Sequence, residues 1–375
     1  MRIGLFTETF LPKIDGVVTI IHQMHQRIVA RGHQVIIFAP PGAPDEFLGS
    51  RVYPSWGPPF PLYPELYCSF PTREGIRAII AFQPDIIHVM NPTFIGTAGI
   101  IMAKVGRLPL VASVHMDIDH YVKQYAGAWG LPIAWKFFRF WHSFAQMNLA
   151  PSHATCSQLE HHGIRNVSQW QRGIDLTRFR QTAASAQLRR TLCADAPDML
   201  IALYVGRLSR EKGLADLLPI CTIPGIQLVL VGGGPETEHI KALFRDTNAI
   251  FPGVLRGDAL IETYNSADIF VFPSQSETFG LAPLEAMACG LPVVAPFVGG
   301  LTETMRHMYN GLTYDHTHPQ DIGTAVELLV TDRTLRLQLG AQAHAYAQTR
   351  DWQHSMDWLV DQYERLVEGD SDATS

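Results

Sequence analysis

Short continuous apolar runs alternate along this chain with longer segments of helical period. Arg2 to Thr7 predicts a buried strand. Glu8 to Val18 predicts a loop feeding a helix over Val17 to Arg31, which stops at Gly32, and Gln34 to Pro40 predicts the next strand. Asp85 to Val89 and Leu110 to His115 read as further strands, with a small-residue helix from Thr93 between them. Leu149 to Pro151 ends another strand, and Ser152 starts a helix that stops at Gly163. Val52 to Phe70 breaks the rhythm: prolines at that density forbid a helix and most strands, so an ordered irregular segment is expected.

A small, polar, helix-forming segment over Ala183 to Cys193 leads into a second round of alternation. Strands are expected at Met199 to Val205, Gln227 to Val231, Phe251 to Arg256, Ile269 to Pro273 and Val293 to Ala295, with an edge strand after Asn310-Gly311-Leu312. Helices are expected at Leu214 to Cys221, Glu236 to Phe244, Leu260 to Asn265, Pro283 to Cys289 and Asp321 to Val330. Asp351 to Val367 carries Trp352, Met356, Trp358, Leu359, Tyr363 and Leu366 mostly at helical spacing, so one face is buried; the residues beyond Glu368 read as a frayed end.

Two βα-alternating halves joined near 170–179 predict an α/β chain: two doubly wound Rossmann-like domains facing across a cleft. The expected division is 1–172, 173–350, and a C-terminal helix over 351–375 that crosses back to the first domain. A length of 375 residues fits two domains, and 47% hydrophobic with 17% charged residues gives each a sizeable core. No apolar run reaches membrane-spanning length, and the N-terminus reads as a strand, not a signal peptide. Five scattered cysteines without metal spacing predict a reduced, cytoplasmic protein that needs no zinc.

The net charge of −6 argues against a nucleic-acid partner. It is unevenly spread: residues 1–180 carry +5 and residues 181–375 carry −11. A basic half fits an anionic surface or substrate, and compositional drift between two domains explains it equally well.

The chemistry concentrates in Ser274 to Pro292. Glu277 falls on the expected strand-to-helix loop, followed by Thr278, Phe279, Gly280 and Leu281, and Glu285 falls inside the helix. Free amides at a helix start suit a diphosphate, and carboxylates there can accept from sugar and ribose hydroxyls. Taken alone, the pair reads as one surface and one capping glutamate. Arg207 and Lys212 lie on the loop after the Met199 strand, before an expected helix, a placement that fits a diphosphate clamp. In the first half, Gly16 stands at a loop–helix junction without a GxGxxG fingerprint, which argues against a nicotinamide enzyme; a turn residue is the plainer reading. His115 ends a strand, where α/β ligands bind. Asp117, Asp119 and His120 follow it with no strong ligand spacing. Trp135 to Phe144 interleaves aromatics with Lys136 and Arg139. That pattern fits a lipid interface, or a core helix with two snorkelling cations.

VGRLSREKG, VLVGGGP, ADIFVFPS, EAMACGLPVVAP and the Glu277-to-Glu285 element together resemble the retaining GT-B glycosyltransferases of family 4, over essentially the whole chain. LFTETFLPKIDGVVT, PFPLYPEL, PDIIHVMNP and WQRGID are similar to its sulfolipid synthase subgroup, and related lipid mannosyl- and glucosyltransferases share versions of them. The resemblance implies sugar transfer from a nucleotide diphosphate donor, with UDP-sulfoquinovose and diacylglycerol as first expectation. Mannose or glucose transfer to another lipid, glycan or small molecule is the alternative, and a non-catalytic sugar-nucleotide binder is a third. It implies that Arg207 and Lys212 neutralise the diphosphate, so that no metal or cofactor is needed. Glu277 and His115 would lie at the donor sugar, with the Phe279, Gly280 and Leu281 amides near Glu277. Glu285 would bind ribose, and Gly16 would approach the phosphates. Arg172, Lys13 and Lys123 are candidates for a sulfonate by charge alone. Met116-Asp117 follows His115 where the family often carries threonine, which leaves the sugar open. A peripheral contact with an anionic membrane surface completes the expectation.

Overall fold

The computed structural model describes residues 1–13, 16–61, 63–193, 196, 198–275, 277–318 and 320–369, with 63–65 described by their backbone alone. Ile14 and Asp15 in the first loop, Ser276 beside Glu277, and the end beyond Gly369 that the sequence reads as frayed lie outside these. The chain forms two compact units: Met1–Gln171 together with Gln353–Ser375, and Arg172–Trp352.

Among the described residues, eight strands form the sheet of the first unit. Their order is Val167–Gln169, Met147–Ala150, Leu110–Ser113, Ile86–Met90, Arg2–Thr7, Gln34–Ala39, Ser50–Pro54 and Glu46–Phe47. All neighbours run parallel except the last pair. The chain builds outward from Arg2–Thr7 on one side, then returns to add Ile86–Met90 on the other. The order therefore reverses between these two strands, the kind of point beyond whose carboxyl ends α/β sheets bind ligands. Ile3, Leu5, Ile87 and Val89 are fully buried, as parallel strands covered on both faces must be.

Among its described residues the second unit repeats the plan with six parallel strands: Ile250–Gly253, Ile226–Val231, Leu200–Val205, Ile269–Val271, Val293–Pro296 and Gly311–Tyr314. Its reversal lies between Leu200–Val205 and Ile269–Val271. Ile201, Leu203, Leu228, Leu230, Phe270, Val293 and Val294 form one closed apolar interior with the helices. The chain is thus α/β with two doubly wound parallel sheets.

Three expectations need correcting. Leu214 to Cys221 is not an α-helix: Arg210–Lys212 and Leu214–Thr222 are 3₁₀ turns, and Pro219 inside the second removes a backbone donor. The proline-rich segment is not wholly irregular. Ser50–Pro54 pairs with Gln34–Ala39 near the sheet edge, and Pro59–Phe60 with Tyr63–Tyr67 makes a small hairpin. Pro54 ends its strand and Pro59 begins one, positions where a missing N–H is tolerated. Arg333–Gln348, for which the hydrophobic pattern gave no element, is a sixteen-residue helix capped by Asp332.

The last helix, Trp352–Glu368, buries Met356, Leu359, Val360 and Tyr363, the i, i+3, i+4, i+7 stripe of a helix docked by one face. Its acidic side meets the helix Gly16–Ala30. Arg27 holds Asp357 through both oxygens at 2.6 and 2.7 Å, and Arg31, just past that helix, reaches Asp361 at 2.5 Å and Glu364 at 2.8 Å. Part of the basic excess of the first half is therefore neutralised inside its own unit by the acidic tail. These pairs are about a third exposed, so apolar burial dominates the docking. Leu359→Ala is expected to cost about 2–5 kcal/mol of unfolding free energy, and Asp357→Ala about 1 kcal/mol or less. Denaturant titration of both variants checks the ranking.

Candidate functional site

The second unit brings Lys212 and Glu277 together. The strand Leu200–Val205 ends at the reversal point, and the chain turns through Gly206 and Arg207, where the Tyr204 hydroxyl donates to the Arg207 carbonyl at 2.9 Å. Lys212 follows on a 3₁₀ turn. Its Nζ lies 2.9 Å from Glu277 Oε2 and 3.5 Å from Ser274 Oγ, and 5.5 Å from the Phe272 ring centre. Both partners retain only 20% and 16% side-chain exposure, so water screens this pair less than a surface one.

Glu277 is held from behind. The Gly300 amide donates to its carbonyl at 2.8 Å. A Cβ on Gly299 would stand 2.2 Å from the Glu277 carbonyl oxygen, and one on Gly300 2.2 Å from that of Thr278. Two side-chain-free residues let the backbones touch here. The sequence shows Gly299-Gly300 only as a strand end; a glycine pair at the carboxyl end of a strand in the same sheet was the available signal. Phe279 is buried, Gly280 takes φ 89°, and Leu281 begins the helix Leu281–Ala288.

Glu285 lies one turn into that helix, apart from the ion pair. The Tyr264 hydroxyl donates to its Oε2 at 2.7 Å. The residue keeps some surface, but its carboxyl is desolvated, and burial raises its pKa to about 7 against the opposing effects of Tyr264 and the Arg178 charge. Neither Tyr264 nor Arg178 stood out in the sequence, since both lie far from Glu285 along the chain.

Gly16 and His115 belong to the first unit. Gly16 is the exposed first residue of its helix. His115 follows the strand Leu110–Ser113; its amide donates to Asn91 Oδ1 at 2.7 Å, and its Nε2 lies 2.7 Å from Ser113 Oγ. At the reversal point of this sheet sits a residue the sequence reading passed over. Glu8 is buried and accepts from the Thr93 and Gly96 amides at 3.1 and 2.9 Å, and desolvation raises its pKa to about 7.

Asp117 caps the helix Ile118–Ala126 through the His120 amide, and Asp119 accepts from Trp135 Nε1 at 2.7 Å, so these two side chains serve the local fold. Among the described residues no group of three or more His, Cys, Asp or Glu could hold a metal ion. Of the sulfonate candidates, Arg172 is buried, with its pKa lowered to about 9 by desolvation, Lys13 is half-buried and Lys123 is exposed. The aromatic segment divides. Trp135 and Phe138 face inward, Trp135 stacked on His162, while Ile133, Phe137 and Phe140 with Lys136 and Arg139 face outward. No helix among the described residues is long and apolar enough to cross a membrane.

Comparison with known proteins bears on both units. The family described as glycosyl transferases group 1 matches residues 195–346, and the one described as glycosyltransferase family 4 matches residues 14–178. A GDP-mannose-dependent alpha-mannosyltransferase of Corynebacterium glutamicum is 30% identical over 98% of this chain and 89% of its own length. The sulfoquinovosyl transferase SQD2 of Arabidopsis thaliana is 33% identical over 94% of this chain and 71% of its own. Among solved structures, a sucrose-phosphate synthase from Thermosynechococcus elongatus superposes with a TM-score of 0.80 at 22% identity, covering 98% of this chain and 99% of that one, a likeness of fold.

A folded-state pKa above the ordinary 4.5 means the fold prefers the protonated carboxyl. The stabilisation from Glu285 is therefore complete below about pH 4.5 and lost as pH rises through about 7. Between pH 5 and 8, Glu285→Gln is expected to lose about 1–3 kcal/mol less stability than the parent, read from denaturant midpoints at each pH.

Proposed function

The chain belongs to glycosyltransferase family 4 and is a GT-B glycosyltransferase that uses a nucleotide-sugar donor; from that premise we propose that it transfers a sugar, with retention, to a lipid acceptor. The carrying observation is the Lys212–Glu277 pair at the reversal point of the second sheet, beside the start of the helix Leu281–Ala288. The cation lies where α/β sheets bind phosphates, and the helix amides add to it. As the glycosidic bond breaks, the diphosphate gains charge, and Lys212 with Arg207 stabilises that charge without a metal. Glu277, ion-paired through Oε2, is poorly suited to nucleophilic attack. It positions the donor sugar, together with His115, Thr278 and the amides of Phe279, Gly280 and Leu281. Glu285 takes the ribose hydroxyls and Gly16 lies along the diphosphate. The acceptor hydroxyl attacks the face the diphosphate leaves, and a phosphate oxygen takes its proton.

For the substrates, we carry forward sulfoquinovose from UDP-sulfoquinovose and diacylglycerol, the reading that fits the Arabidopsis relative. The full-length similarity to the Corynebacterium enzyme favours a second reading, mannosyl transfer from GDP-mannose. A lipid acceptor is consistent with the outward stripe of Ile133, Phe137 and Phe140 flanked by Lys136 and Arg139. Such a face can rest on an anionic bilayer from the cytoplasmic side.

Incubating the protein with labelled UDP-sulfoquinovose, GDP-mannose or UDP-glucose and diacylglycerol vesicles separates these readings. An anionic glycolipid from the first donor is the expected product. Lys212→Ala should lower its formation at least about a hundredfold. Product from GDP-mannose alone would replace the first reading by the second, and undiminished turnover in Lys212→Ala would overturn the mechanism.

A further inference from the structure

Four side chains of the first unit form a buried hydrogen-bonded line. Tyr363 on the last helix bonds His88 Nδ1 through its hydroxyl. His88, in the strand Ile86–Met90, lies 2.8 Å from Ser113 Oγ through its Nε2. Ser113 Oγ lies 2.7 Å from His115 Nε2. Tyr363, His88 and Ser113 are fully buried, and Trp170 lies edge-on to His115 with ring centres 6.0 Å apart. The line is too regular to be polar by accident, since each buried group without a partner would cost about 1–3 kcal/mol.

The direction of the line follows from its far end. A phenol has one proton, and the Tyr363 hydroxyl has two neighbours that could accept it, His88 Nδ1 and Met24 Sδ at 3.6 Å. Imidazole nitrogen is a strong acceptor and thioether sulfur a weak one. The proton therefore goes to the His88 side. His88 then carries its hydrogen on Nε2 and donates to Ser113, which has one hydroxyl proton and passes it to His115 Nε2. Nε2 of His115 is thereby an acceptor, and the ring's hydrogen is on Nδ1. Were Tyr363 to donate to Met24, every bond would reverse and His115 would carry its hydrogen on Nε2.

We propose that Tyr363, acting through His88 and Ser113, is a positioning residue that fixes His115 as the Nδ1–H tautomer, making it a hydrogen-bond donor toward the donor sugar. The relay stands on the geometry above; its role in transfer rests on the placing of His115 at the sugar given in the proposed function. A helix from the far C-terminal end of the chain thus decides which ring nitrogen carries a proton at a strand end some 250 residues earlier, by way of a serine that accepts from one histidine and donates to the other. A neutral Nδ1–H can donate to a hydroxyl oxygen of the donor sugar and fix its orientation, whereas a bare Nδ1 could only accept from that hydroxyl and would turn it the other way.

The tautomers have distinct signatures in long-range ¹H–¹⁵N spectra of the full-length protein labelled at histidine, with His115 assigned by its loss in His115→Asn. The expected pattern for the parent protein is Nδ1–H at His115. In Tyr363→Phe the Nε2–H form should gain population, and Ser113→Ala, which cuts the line next to His115, should do the same if the first variant folds poorly. Transfer in Tyr363→Phe should fall about tenfold in kcat, with KM for the donor within about twofold. An Nε2–H pattern in the parent, or an unchanged His115 spectrum in both variants, would overturn the relay. A shifted spectrum with unchanged transfer would leave the relay standing and overturn the role of His115 at the sugar.

Discussion

The ion pair between Lys212 and Glu277 is the constraint on which the second unit's site depends. Two segments leave neighbouring strands at the point where the sheet reverses, one turning as 3₁₀ at Lys212 and the other a loop at Glu277. The 2.9 Å contact ties them together. Gly299 and Gly300 lie against the Glu277 and Thr278 backbone from the other side, where any side chain would clash. An ammonium held by one carboxylate and half shielded from water is already partly desolvated.

The same logic explains the buried carboxyls. Glu8 closes the first turns after the strand Ile86–Met90 by accepting two amides, and Glu285 is fixed by Tyr264. Each lies beside the reversal point of its sheet or in the helix that starts there, and each is raised to about 7 by desolvation. Burial removes the water that would stabilise each ionised carboxylate, and the raised pKa follows.

Most of the sheet was legible because parallel strands covered on both faces leave continuous apolar runs, and those runs end where Gly206 and His115 begin the loops. A helix start was legible where a cap announced it, as Ser152 does. The pattern failed where tertiary packing overrode it. Arg333–Gln348 has a weak apolar face yet packs Leu339 and Ala343 into the core, and Leu214–Thr222 has apolar residues at helical spacing but turns as 3₁₀ around Pro219. Lys212 and Glu277 stand out in the sequence as charges on loops after strands, and Glu285 as a charge in the helix that follows. Tyr264, Arg178, the glycine pair and the Tyr363 line do not, because their partners are brought close only by the fold. The charge split did not show that part of the basic excess of the first half pairs within its own unit, where the acidic face of Trp352–Glu368 meets Arg27 and Arg31.

The most direct test is calorimetric titration of the full-length protein with UDP and GDP, for the parent and for Lys212→Gln, with melting curves to confirm that both are folded. If Lys212 grips the diphosphate, the parent binds one equivalent of at least one nucleotide, and Lys212→Gln weakens that binding about tenfold or more. Equal affinity in the two proteins, or no binding of either nucleotide to the parent, would contradict the account.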